Sequence, residues 1–137
     1  MTDIIERLEA AEEGSREANA LLWRATHEHR ERAASPGGRV AIEIPDRFKD
    51  ADGIDRCEWD FYCWADQIED HAPAYTTSLD AKLPWENIVF VQALLQNGDK
   101  WTWNALHRNP DGSRVSGLGN TEALARRIAA LRARGVE

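Results

Sequence analysis

Cysteine is scarce in this sequence, with Cys57 and Cys63 alone. No disulfide framework of the kind that staples small secreted domains is expected, and reduced thiols in a cytoplasmic setting are. Long apolar runs are missing too: none approaches the ~20 residues that cross a bilayer. Nor does the start show the basic, apolar and small-residue regions of a secretory signal, so neither a membrane span nor export is expected. Cations are thin in the first part, where residues 1–80 hold nine Arg and Lys against nineteen Asp and Glu, while residues 81–137 hold eight against five. A protein that coats a phosphate backbone needs concentrated cations to displace counterions, so direct nucleic-acid binding is disfavoured, although a local basic face can still take a small anion.

Catalytic and ligand signatures are also lacking. The stretch VSGLG at 115–119 lacks the first glycine of a nucleophile elbow, and GLGNTE has no lysine where a phosphate loop needs one. Cys57 and Cys63 are separated by five residues, against the two to four usual in each half of a zinc site, and His27 and His29 lie on a charged helix end. Buried free thiols and solvated histidines account for these residues without a metal or a cofactor. Asp66, Glu69 and Asp70 beside His71 read as a solvated face. The reading is therefore of a protein that is not an enzyme.

What is there is a chain of 137 residues, 42% hydrophobic, enough for one core without metal or disulfide help. Residues 1–137 are expected to form a single α+β domain, an antiparallel sheet packed with N-terminal and C-terminal helices. Thr2 is placed to cap a first helix with Ile4, Ile5, Leu8 and Ala11 on one face, and Asp3 and Glu6 in its first turn. Gly14 reads as a left-handed stop and Ser15 as the cap of a second helix carrying Ala18, Leu21, Leu22 and Ala25 inward. After the loop SPGG, the alternation in RVAIEIP predicts a strand that Pro45 ends. Residues 46–74 read as an irregular acidic insertion, within which CEWDFYCW is a strand or a short helix.

The last part has sharper punctuation. NIVFVQALLQ and KWTWNALHR alternate as strands, joined by Asn97-Gly98-Asp99, a sequence suited to the primed turn that matches strand twist. In the second of them Trp101, Trp103, Ala105 and His107 share one face and Arg108 the other, so the two tryptophans are expected to be buried or exposed together. A third strand runs through 114–118. Thr121 or Asn120 caps a closing helix that places Leu124, Ile128 and Leu131 inward, while Arg126, Arg127, Arg132 and Arg134 are expected on its solvated side.

Three stretches, DIIERLEAAEEGSRE, YTTSLDAKL and NTEALARRIAALRAR, together resemble small bacteriophage and prophage proteins that carry a phage ABA sandwich domain. In that pattern a Y-[ST]-x-[SD]-[LI]-x-A element precedes a hairpin and an alanine-rich helix closes the chain. Tyr75, Ser78, Leu79 and Ala81 fit the first part, and Thr121, Leu124, Ala125, Ala129, Ala130 and Leu131 the second. The resemblance covers about half the chain and implies a sandwich of helices on an antiparallel sheet in a phage context. It implies no activity.

Function is accordingly expected to be binding. The chain reads as a cytoplasmic phage or prophage accessory protein of the bacterial host cell that recognises a host protein complex or a small nucleotide. Its sharper version is a counter-defence inhibitor, acting as a nucleic-acid mimic through its acidic segment or as a nucleotide-sequestering protein. Trp101, Trp103, His107, Arg108 and Arg114 are the candidate binding residues, because tryptophan stacks on bases or anchors interfaces and arginine supplies charge. The alternative is a structural or assembly role in which aliphatics exposed on the N-terminal helices drive self-association. An enzyme would instead show a cleft joining His71 or His107 to a carboxylate of shifted pKa.

Overall fold

A computed structural model describes residues 2–33, 35–96, 98 and 100–135, with backbone alone at 2, 3 and 96. Among these residues, four helices and two three-stranded antiparallel sheets make an α+β fold. Helix α1 (Thr2–Ala10) buries Ile4, Ile5 and Leu8 along one stripe, as the spacing predicts; the expected capping side chains at residues 2 and 3 lie outside the described residues. Helix α2 (Arg16–Thr26) begins where Ser15 accepts from the Ala18 N–H at 3.0 Å, again as predicted. Leu22 and Trp23 are buried beneath it. These aliphatics line the core, which removes them as the self-association surface expected on the N-terminal helices.

Gly14 corrects its reading. Helix α1 has already ended at Ala10, and Gly14 is not among the glycines with positive φ. Its role is close approach: a Cβ there would collide with the Thr76 carbonyl. Thr76 is pinned at this point, its N–H donating to Asn19 Oδ1 at 2.7 Å and its hydroxyl accepting from the Ser15 N–H at 3.0 Å.

The N-terminal sheet runs β1 (Arg30–Ala33), β2 (Val40–Lys49), β3 (Asp55–Trp64), in that order. Two expectations fail here. Pro45 does not end β2, which continues to Lys49 with Pro45 opposite Trp59. Strand β1 pairs only with 40–43, so by Pro45 the strand has a free edge, where a residue without an N–H is tolerated. Residues 46–74 are not irregular for most of their length either: CEWDFYCW is strand, and a 3-10 turn (Ala65–Gln67) and α3 (Ile68–His71) follow it. The β2–β3 turn is built by Asp50, whose carboxylate accepts from the Asp52 and Ile54 N–H groups and from Arg56 Nε at 2.8 Å. The Arg56 bond first, and the Ile54 N–H next, hold this carboxyl below its ordinary pKa.

The C-terminal sheet follows the sequence closely, with β4 (Ile88–Gln96), β5 (Lys100–Arg108) and β6 (Arg114–Gly119) in chain order. Gln96 pairs with Lys100 across a turn in which Gly98 has φ 81°; Asn97 and Asp99 of that predicted turn lie outside the described residues. Helix α4 (Glu122–Ala133) starts at Thr121, whose hydroxyl accepts from the Leu124 N–H.

Helix α4 is the centre of the molecule. One side, Leu124, Ile128 and Leu131, enters the large core with α1, α2, Ile42 and Cys63. The opposite side packs Ala125 and Ala129 on Ala105 of the C-terminal sheet. The approach is close because β6 presents glycine: a Cβ on Gly117 would stand 2.7 Å from the Ala125 carbonyl oxygen, and one on Gly119 2.7 Å from the Ala125 nitrogen. A helix covered on both sides has little room for a solvated arginine face.

Arg127 overturns that expectation outright. It has no exposed surface, and its guanidinium donates to Glu86 Oε2 at 2.6 Å and to the carbonyls of Tyr75, Ser78 and Leu79 at 2.8, 2.8 and 3.1 Å. The irregular run between α3 and β4 is thereby fastened to α4. Burial raises the Glu86 carboxyl pKa and the facing cation opposes it. The other arginines are also occupied within the chain: Arg126 by Glu122, Arg132 by Glu9, and Arg134 by the Trp85 ring at 4.3 Å.

Removing one member of a buried ion pair leaves the other charged and dry, so Arg127→Met is expected to cost about 3–5 kcal/mol in urea unfolding. Adding Glu86→Leu should recover only part of this, because three carbonyls still lack their donor; full recovery would show that the ion pair alone matters. Gly117→Ala is expected to destabilise by about 1–3 kcal/mol through overpacking against α4.

Candidate recognition surfaces

Strand alternation puts the residues proposed from sequence at separate places. Trp101 is 59% exposed, at the hairpin end of β5. Trp103 is half-buried and lines a shallow groove of about 510 Å³ with Thr121, Glu122, Thr77 and Leu79. The two tryptophans share a face but not an environment, because the first turn of α4 covers Trp103 and does not reach Trp101. His107 is buried, with Nε2 3.2 Å from the Trp85 carbonyl and Nδ1 without a partner. Arg108 and Arg114 are exposed and directly opposed on the other face of the sheet. At ~3.3 Å per residue, Arg108 stands roughly 23 Å along the strand from Trp101. The five residues therefore do not assemble one pocket.

The histidines and cysteines are also distributed differently from the sequence reading. His27 does lie at a helix end, as the C-cap of α2, but it is partly covered rather than simply solvated: its ring stacks on Trp23 at 4.9 Å, Trp23 stacks on Tyr62 at 4.7 Å, and His29 lies against the same indole. His71 touches Tyr62 edge-on. Among the described residues neither His71 nor His107 bonds a carboxylate, and no three His, Cys, Asp or Glu residues are placed to hold a metal ion. Cys63 is buried, which raises its thiol pKa, but Cys57 is exposed, correcting the expectation that both thiols are covered. Their side chains leave β3 on opposite faces.

The most developed surface lies outside the five candidate residues. On the outer face of the N-terminal sheet, Trp59, Phe61 and Trp64 of β3 form a row, with Pro45, Glu43 and Ala41 as their cross-strand partners on β2. Phe61 is 56% exposed and meets Trp64 edge to face at 5.2 Å. The Arg30 guanidinium carbon sits 4.6 Å over the Trp59 ring and that of Arg39 4.5 Å over Trp64, in contacts that the negative face of an indole favours. Each of these cations is also tied to a carboxylate, Arg30 to Glu43 at 2.8 Å and Arg39 to Asp66 at 3.0 Å. Farther out, Arg47 makes two hydrogen bonds to Glu28, and these lower the Glu28 carboxyl pKa. The face is thus aromatic and arginine-rich, yet its charges are already balanced within the chain.

Its sequence signal was present but disguised. Trp59 and Phe61 keep the odd parity of a strand face and Trp64 breaks it, because a bulge places Tyr62 as an extra residue between Phe61 and Cys63. No family model, no curated protein and no solved structure matches the chain.

With one thiol exposed and one buried, a thiol-specific chromogenic reagent should react rapidly with one equivalent in the folded protein and with two after unfolding. Cys57→Ser is expected to abolish the rapid phase, and Cys63→Ser to leave it.

Proposed function

We propose that this chain is a non-catalytic recognition protein whose partner is a macromolecule with a protein surface, bound through the outer face of the N-terminal sheet. The observation that carries the reading is the row Trp59, Phe61 and Trp64 held in place by Arg30 and Arg39. Tryptophan and arginine dominate the residues that supply most binding energy in protein interfaces. Here they are preorganised, so little side-chain freedom is left to lose on binding. Because Arg30 and Arg39 are already neutralised by Glu43 and Asp66, the face gains little from phosphate groups. That favours a host protein over a nucleic acid.

The setting we propose is the one the family resemblance implies: a phage or prophage accessory protein acting in the bacterial cytoplasm, with counter-defence inhibition as its sharper form. The nucleotide-sequestering version loses support, since Trp101, Trp103, His107, Arg108 and Arg114 do not converge on one pocket. No helix is long and apolar enough to cross a membrane.

Capture from the lysate of a bacterial host, read by mass spectrometry for proteins and small nucleotides, tests the reading. The wild-type chain is expected to retain one stoichiometric protein. Phe61→Ala with Trp64→Ala should weaken that capture by more than about tenfold, whereas Trp101→Ala with Arg108→Ala should not. Capture of a nucleotide alone, or capture untouched by the Phe61 and Trp64 changes, would sink it.

A further inference from the structure

The other face of the β2–β3 hairpin has a different chemistry. From residue 46 to 58 every residue but Asp50 is exposed, so the hairpin projects as a two-stranded arm with no cover on either side. Such ribbons are marginally stable in water on their own. Continuing the face that carries buried Ile42 and Cys63, the arm presents Asp46 directly opposite Glu58, then Asp60 opposite Ile44 on the core side and Phe48 opposite Arg56 toward the tip. Like charges directly opposed across strands are unfavourable. Among the described residues none of Asp46, Glu58 and Asp60 has an ion-pair partner, while Arg56 is taken by Asp50. Phe48 is 40% exposed.

The open face of the C-terminal sheet carries the complementary pattern. Arg108 is directly opposite Arg114, a second like-charged cross-strand pair, and neither has an ion-pair partner among the described residues. One step along the strands, on the same face, Leu106 is flanked by Phe90 and Ser116, and Leu118 follows beside Asn104. Phe90 and Leu118 are exposed. Helix α4 lies on the opposite face of this sheet; on this one Thr102 Oγ1 is covered toward the hairpin end, while Phe90, Leu118, Arg108 and Arg114 are exposed.

We propose that the open face of the C-terminal sheet is a docking site for the β2–β3 arm of a second copy of this chain. The two surfaces match in charge and in step. On the arm the carboxylate pair is followed one alternate position later by Phe48, and on the sheet the arginine pair is followed one alternate position later by Leu106 and Phe90, each a displacement of about 7 Å. Docking sets Asp46 and Glu58 against Arg108 and Arg114, relieving two like-charge repulsions at once, and covers Phe48 with apolar sheet. Each copy has one arm and one sheet face, so the contact is heterologous; reciprocated about a two-fold axis it closes as a dimer, and otherwise it propagates. The residues are distinct from Trp59, Phe61 and Trp64, and the test uses the purified chain alone, so its outcome is independent of the partner reading above.

Sedimentation or light scattering on the purified protein, from low to high micromolar concentration, decides the matter. The wild type is expected to associate at low salt, with a dissociation constant at least tenfold weaker at about 0.5 M salt, where the screening length falls to about 4 Å. Asp46→Arg with Glu58→Arg, and separately Arg108→Glu with Arg114→Glu, should each be monomeric, because arm and sheet then carry the same sign. An equimolar mixture of the two double variants should associate again, since each arm meets a sheet of opposite charge. A wild type that stays monomeric, association indifferent to salt, or a mixture that fails to recover would overturn the proposal. Should either variant fail to fold, the wild-type concentration and salt series still decides it.

Discussion

Everything in this molecule is arranged about a guanidinium with no contact to water. Arg127 projects from α4 into the irregular segment between α3 and β4, which cannot satisfy its own carbonyls by regular pairing and has them bonded by this side chain instead. Desolvating a cation costs several kcal/mol, and only a full set of partners offsets it; Glu86 and three carbonyls provide that set. The same bonds fix Tyr75, and beside it Thr76 is locked to Asn19 and Ser15, so the path from α4 to the α1–α2 junction is continuous. The loop behaves as a structural element because one helix side chain holds it.

That arrangement also explains why two sheets can coexist in a short chain without packing on each other. Helix α4 stands between the C-terminal sheet and the rest of the core, large side chains toward one and alanines toward the other. Each sheet therefore has one face against the interior and one free. The free faces differ: one is aromatic with paired cations, the other aliphatic with an arginine couple that has no ion-pair partner among the described residues. Two open sheet faces within one chain exceed what a chain with no partners needs, which is the physical ground for the proposal that the molecule binds a partner.

The elements with local punctuation were legible in the sequence. Ser15 and Thr121 cap their helices through their own hydroxyls, and the alternation in KWTWNALHR reads directly as β5. What escaped was decided over distance. A strand through Pro45 depends on β1 being too short to reach it, and Gly14 depends on Thr76, sixty-two residues away in the chain. Arg127 left a signal that composition obscured: it lies three residues after Leu124 and four before Leu131, inside the apolar stripe, where a solvated arginine has no place. The aromatic face of β3 was hidden by a bulge that changes parity midway. The candidate residues proposed from sequence are spread rather than gathered for a simpler reason, since residues adjacent in β5 alternate faces and its ends lie far apart.

The position of α4 has a kinetic corollary. Its contacts reach back across the chain, with Asn120 bonding the Ala11 carbonyl and Arg132 pairing with Glu9. Until α4 has been synthesised, α1, α2 and the 72–87 segment have one another and the N-terminal sheet to pack on but lack the helix that closes their core, and the C-terminal sheet has no lid. Chains dominated by such distant contacts fold slowly, because loop entropy must be surrendered before the contacts that reward it can form. Folding here is therefore expected to be a single late event rather than a succession from the N-terminus, with the nascent chain keeping its apolar strands uncovered for most of its synthesis.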